Sequence, residues 1–278
     1  MKTINREKIK IFIKNLKKAN DPDLMHYASS LSYHTILSTI PLLLISLSLF
    51  MNIPSFSEYF DKLKDFVISL LAPAHKEVIL GYLETFLQNT IKMGVMGFIV
   101  VLFVTVMFFK DYESIINKIM NVKPRSFWQS LSAYWTLITL APIGLVASFY
   151  LSNIIQNFLN SSDYTNWINF LTIFPYLVVW MLFFTIYMIS SNAKISFKSG
   201  IISSFVASLI WYSSKSLFVY YVAYNKTYLT IYGSFSILLF FFIWIYASWV
   251  IFLYGVRLCH LLNQKELQKK EKIANSDD

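Results

Sequence analysis

Six stretches of this chain have roughly the length that a helix needs to cross the hydrocarbon core of a bilayer, about 20 residues. They lie at about 27–51, 94–109, 134–151, 170–189, 200–221 and 233–256. The only Asp, Glu, Lys or Arg inside any of them is Lys215. Hydrocarbon offers no partner to a free backbone N–H or C=O, so spanning segments must be helices or closed barrels. A barrel needs alternating segments of about ten residues, and runs such as 236–246 do not alternate. The expected fold class is therefore an all-α integral membrane protein, a bundle of six transmembrane helices. An amphipathic helical hairpin at 52–93 joins the first two.

Composition agrees. The chain is 56% hydrophobic and 14% charged, against roughly 25% charged in soluble proteins. This excludes a disordered chain, which lacks the apolar and aromatic residues found here. With Cys259 as the only cysteine, an internal disulfide framework is also excluded. The first span follows a polar N-terminus and is too long for a signal-peptide core, so it is expected to stay as a permanent anchor. Three regions result: a basic N-terminal helix at 1–20, a membrane domain at 21–262 and a polar C-terminal tail at 263–278.

Orientation follows from the positive-inside bias. Numbering compartments alternately from the N-terminus, one side holds 18 Lys and Arg and the other 5. Both termini are therefore expected in the cytoplasm. The cytoplasmic segments carry the whole formal charge of +9, because Lys215 cancels the outer loops.

In the N-terminal stretch, Ile9, Phe12, Ile13 and Leu16 form a helical stripe flanked by lysines. Such a helix suits the membrane interface and anionic headgroups; ordinary flanking charge is the plainer alternative. No nucleic-acid module accompanies the lysines, so no nucleic-acid partner is expected. Asp21 and Pro22 are placed to start a helix. The 52–93 hairpin carries two apolar stripes on either side of Ala72-Pro73-Ala74, and predicts a structural cap or a moving lid on the outer face.

An ionisable group within a span is a functional candidate. Lys215 is the first such candidate, by snorkelling outward or by binding a headgroup. The first span carries Tyr33, His34 and Thr35 among several hydroxyls, a pattern that suits close helix packing or a polar wall of a pathway. Asp111, with Lys110 and Glu113, closes the second span, and Arg257 closes the sixth and is a possible partner for Asp111 or Glu113. Pro41, Pro142 and Pro175 fall within or near spans, where proline frees a carbonyl and kinks the helix. Gly233 and Gly255 mark a break and a packing position. The four histidines have no metal-ligand spacing, and no phosphate loop or nucleophile elbow is present. No metal, cofactor or enzymatic activity is expected. Membrane lipids are the expected partners, anionic phospholipid headgroups among them, and a homo-oligomer is compatible with such a bundle.

The stretch Tyr27-Ala28-Ser29-Ser30-Leu31-Ser32-Tyr33, followed by Leu37-Ser38 and Pro41-Leu42-Leu43, resembles the start of the YihY/BrkB family of bacterial inner-membrane proteins. Tyr134-Trp135, Leu140-Ala141-Pro142, Ile231-Tyr232-Gly233, Trp244-Ile245-Tyr246 and Gly255 resemble it in the same order. The resemblance covers roughly 20–260 and implies a six-helix protein of the cytoplasmic membrane. It also implies that the old label ribonuclease BN does not apply, and that a basic residue at Lys215 is common among members. The family's usual acid after the Gly-x of span six is replaced here by Arg257, so its role would fall elsewhere, with Asp111 a candidate. The expected function is transport, or lipid translocation, of an undefined substrate. The alternative is a non-transporting envelope scaffold or virulence-associated factor. A membrane ribonuclease is the least favoured.

Overall fold

In a computed structural model, the described residues are 22–50, 94–161 and 169–274, with isolated positions at 65, 68–69, 77–78, 81, 165 and 167. The expected N-terminal helix, nearly all of the 52–93 hairpin and Asp21 lie outside them. Among the described residues the chain is helical, with no strand. We number the helices α1 (Asp23–Phe50), α2 (Gly94–Met120), α3 (Phe127–Asn160), α4 (Phe170–Ser190), α5 (Phe197–Tyr224), α6 (Lys226–Tyr232) and α7 (Phe235–Ala274).

Each of the six expected spans overlaps one long helix, with Met51 outside the described residues and Gly233 in the turn before α7. Among the described residues, three helices are long and apolar enough to cross a membrane: α4, α5 and the Phe235–Gln268 part of α7. α1, α2 and α3 reach 28, 27 and 34 residues. α7 continues through the expected tail boundary at 263 as far as Ala274.

Local chemistry sets the helix ends. The Asn169 side chain accepts from the Thr172 N–H at 3.3 Å and caps α4. Ser196 does the same for α5 through the Ser199 N–H. Each satisfies an otherwise orphaned first-turn donor. Gly233 has φ +55° in the turn that leads into α7, a conformation costly for residues with a Cβ.

α7 is the central post. It packs chiefly on α5 and α1, and also on α2; α4 lies beside α5, and α3 beside α4. The larger core gathers Leu24, Ala28 and Leu31 of α1, Ile115, Ile116 and Ile119 of α2, and Phe252, Leu253 and Val256 of α7. It sits at the end of the bundle where α1 begins and where the α2–α3 and α4–α5 loops lie, termed here the basal end. A second cluster joins Val179, Trp211 and Trp244 of α4, α5 and α7.

α5 has its polarity inverted relative to a soluble helix. Its buried face is small over most of its length, Ser199, Gly200, Ser203, Ser204, Ala207 and Ser208, followed by Trp211 and Val222. Its exposed face includes Phe205, Leu209, Ile210 and Leu217. In water that arrangement would leave large side chains wet and small polar ones dry. In lipid it is favourable: helices gain nothing from hiding leucine, and small residues let backbones approach. The buried serines bond back to their own helix, Ser203 to the Ser199 carbonyl at 2.7 Å and Ser204 to that of Ile201 at 3.0 Å.

Candidate functional site: a polar seam at the basal end

Of the expected site residues, the structure brings three into one neighbourhood. Ser30 on α1 donates to Asp111 Oδ2 on α2 at 2.8 Å. His34 Nε2, one turn further along α1, stands 3.6 Å from the same oxygen. Thr35 donates to the Leu31 carbonyl at 2.7 Å and accepts from Trp249 Nε1 of α7 at 2.8 Å. Helical spacing explains the meeting, because positions 30, 31, 34 and 35 recur at three and four residues on adjacent faces of α1. Tyr33 is 62% exposed, its ring edge-on to His34.

The remaining candidates lie elsewhere. Lys215 is half-buried on α5, its ammonium 5.8 Å from the Trp211 ring centre and 5.9 Å from that of Tyr212. Pro175 sits inside α4, where its missing N–H leaves the Leu171 carbonyl without its helical donor. Pro41 and Pro142 lie within α1 and α3. Gly255 is a point of close approach: a Cβ there would meet Tyr187 Oη at 2.0 Å and Ala207 Cβ at 2.6 Å. Arg257 forms no ion pair with Asp111 or Glu113, and its buried Nε has no hydrogen-bond partner. The pairing considered from sequence is therefore not made: Ser30 and His34 occupy Asp111 instead.

Below this group a seam of side chains holds the α4–α5 loop. Arg125, in the α2–α3 loop, donates from its two terminal nitrogens to the Ile189 carbonyl at 2.8 Å and the Ser191 carbonyl at 2.6 Å. Asn117 Oδ1 accepts the Asn192 N–H at 3.1 Å. Tyr112 donates to Ser190 Oγ at 2.7 Å. From α7, Asn263 accepts the Ser196 N–H at 2.8 Å and donates to the Lys194 carbonyl at 3.0 Å, and Ser196 donates to Glu266. Backbone groups that leave a helix need new partners, and here side chains from three elements supply them. Beside it a cavity of about 280 Å³ is lined by Lys194, Ile195, Ser196, Asn263, Glu266 and Leu267.

By sequence Glu113 is a residue that closes the second span. It is 5% exposed, and its Oε1 has no hydrogen-bond partner. Tyr134 Oη and Asn117 Nδ2 are also buried and unpaired. Phe109, Glu113 and Asn117 repeat every four residues on one side of α2, and Tyr134 stacks on Phe109 with ring centres 4.5 Å apart. That spacing, continued past the apolar run, was the signal available for Glu113. The clasp of Arg125 had none, since its partners are backbone carbonyls. Among the described residues no three His, Cys, Asp or Glu side chains come together as a metal-binding group.

Residues 16–278 match the family model described as Virulence factor BrkB. The chain belongs to that family. It is similar to curated membrane proteins designated UPF0761. One, from Aggregatibacter aphrophilus, is 28% identical over 93% of each chain. Another, from Mannheimia succiniciproducens, is 30% identical over 88% of this chain and 87% of its own. A third, from Haemophilus influenzae, is 28% identical over 89% of this chain and 93% of its own. No solved structure matches. Within this membrane-protein family, the inverted faces of α5 are those of a lipid-embedded helix.

Proposed function

We propose that the protein is a six-span transporter of the bacterial inner membrane that moves a lipid or another amphiphile, with both termini in the cytoplasm. The 18-to-5 bias of Lys and Arg supports the orientation. The lengths of α1, α2 and α3 support adding them to the three apolar spans. One observation carries the functional part: Ser30, His34 and Asp111 form a half-buried polar cluster between two such helices, with Thr35 tied to a third. Ionisable groups at helix–helix contacts in lipid are expensive to keep and usually serve a pathway. The proposed activity is passage rather than chemical conversion.

The test is transfer of labelled phospholipid between leaflets of liposomes holding the purified protein. Asp111→Asn keeps an acceptor for Ser30 but removes the charge facing His34. It is expected to slow transfer about tenfold, the scale of one charge-assisted hydrogen bond. Absence of any protein-dependent transfer would sink the proposal.

The second reading is an envelope scaffold, the sense in which the family's description as a virulence factor would apply. Tyr33, Thr35 and Lys215 favour it by lying on separate surfaces instead of lining one cavity. Protein without transfer activity that still restores an envelope defect in cells would select it.

A further inference from the structure

Lys215 is the residue that span assignment leaves unexplained, and its conformation narrows what it can do. α5 ends at Tyr224, nine residues beyond Lys215, so the helix end lies about 14 Å further along the axis at 1.5 Å per residue. The ammonium does not extend toward that end. It lies over the rings of Trp211 and Tyr212, four and three residues earlier, which turns it toward the middle of the helix. This is the direction in which helical side chains lean. Simple snorkelling would point it the other way.

An ammonium at that depth is costly unless it is paired. The two aromatic faces offset part of that cost, and an anionic partner would offset more. No described carboxylate lies within ion-pair distance of Lys215. The side chain is half-buried, so one side is open. On its own side the helix presents Val219, four residues on, outward, a surface for acyl chains. On the same flank Tyr176 of α4 packs on Tyr212, with ring centres 4.2 Å apart. That contact puts two phenol rings side by side on the α4–α5 pair.

We propose that Lys215, with Tyr212 and Tyr176, forms a binding site for the phosphate of an anionic phospholipid whose headgroup enters the membrane along the α4–α5 flank. The lipid's charge neutralises the ammonium, the phenols donate to phosphate oxygens, and the acyl chains stay in the bilayer against Val219. The role as a station on a lipid path rests on the transport reading; the binding itself does not.

The test uses the full chain in detergent. Native mass spectrometry and quenching of tryptophan emission, Trp211 lying beside the site, would follow titration with phosphatidylglycerol, phosphatidylcholine and inorganic phosphate. Phosphatidylglycerol is expected to bind about tenfold more tightly than phosphatidylcholine. Lys215→Ala should abolish that preference, Lys215→Arg should restore it, and inorganic phosphate should not compete at equal concentration. Equal binding of both lipids by the wild type, or unchanged preference in Lys215→Ala, would overturn the site. Effective competition by inorganic phosphate would overturn the lipid as its occupant. Should Lys215→Ala fail to fold, Tyr176→Phe together with Tyr212→Phe must weaken the preference severalfold, and an unchanged preference refutes the proposal. Loss of preference without loss of transfer would leave the site standing and remove it from the path.

Discussion

Replacing Gly255 by alanine should destabilise the bundle by an amount the structure lets one estimate. The added methyl would stand 2.0 Å from Tyr187 Oη, 3.1 Å from Tyr187 Cζ and 2.6 Å from Ala207 Cβ. Neither neighbour can give way easily. Tyr187 is buried and donates to the Phe252 carbonyl at 3.1 Å, and Ala207 sits on the close-packed face of α5. Overpacking of this kind costs about 1–3 kcal/mol, and loss of the Tyr187 bond adds about 1 kcal/mol. A total of about 2–4 kcal/mol corresponds to a melting temperature lower by on the order of 5–10 °C, on the scaling for domains of comparable size. The assay is thermal unfolding in detergent, followed by intrinsic fluorescence. Tyr187→Phe supplies an internal control, because it removes the 2.0 Å overlap and leaves the Ala207 contact. Gly255→Ala should therefore cost less in the Tyr187→Phe background than in the wild type. A melting temperature unchanged by Gly255→Ala, or a cost identical in both backgrounds, would refute the close-approach argument.

Arg125→Ala should cost about 2–3 kcal/mol by freeing the Ile189 and Ser191 carbonyls. Arg125→Lys should recover little of it, since an ammonium cannot fork to two acceptors as a guanidinium does; thermal unfolding of both variants checks this. Thr35→Val removes the acceptor for Trp249 Nε1 and should cost about 1–2 kcal/mol. Thr35→Ser, keeping the hydroxyl, should lie near the wild type in stability and in tryptophan emission.

Much of the architecture was legible because lipid acts on sequence in one dimension. A charge-free run of the right length must become a helix, whatever surrounds it. That logic places α4, α5 and α7. It does not measure how far a helix continues beyond its apolar run. α2 runs on to Met120 and α7 to Ala274, and those extensions carry Glu113, Asn117, Asn263 and Glu266, the groups of the basal seam. Counting apolar residues ends a span at its last apolar position, although the backbone hydrogen bonds do not stop there. The resemblance to the BrkB family was carried by scattered aromatics, glycines and prolines, and the family match over 16–278 shows it.

Among the candidate residues, type was readable and company was not. A lysine at membrane depth stands out in the sequence because it is costly in lipid, a His and a Thr because they fall in a polar span, and an Asp because it closes one. Which of them meet depends on how helices rotate about their axes. A helix apolar on every side carries no stripe from which to read that rotation. Only packing decided it: Ser199, Gly200, Ser203 and Ala207 admit α4 and α7 to one side of α5 and leave Leu209 and Leu217 to the lipid. The same packing gave Asp111 to Ser30 and His34, left Arg257 without it, and turned the Lys215 ammonium back over two aromatic rings. The sequence by itself determined where the chain can be membrane and how its charge divides, because transfer into lipid depends on residues one segment at a time. The tertiary structure decided which polar groups are partners, because hydrogen bonds and ion pairs act over about 3–4 Å.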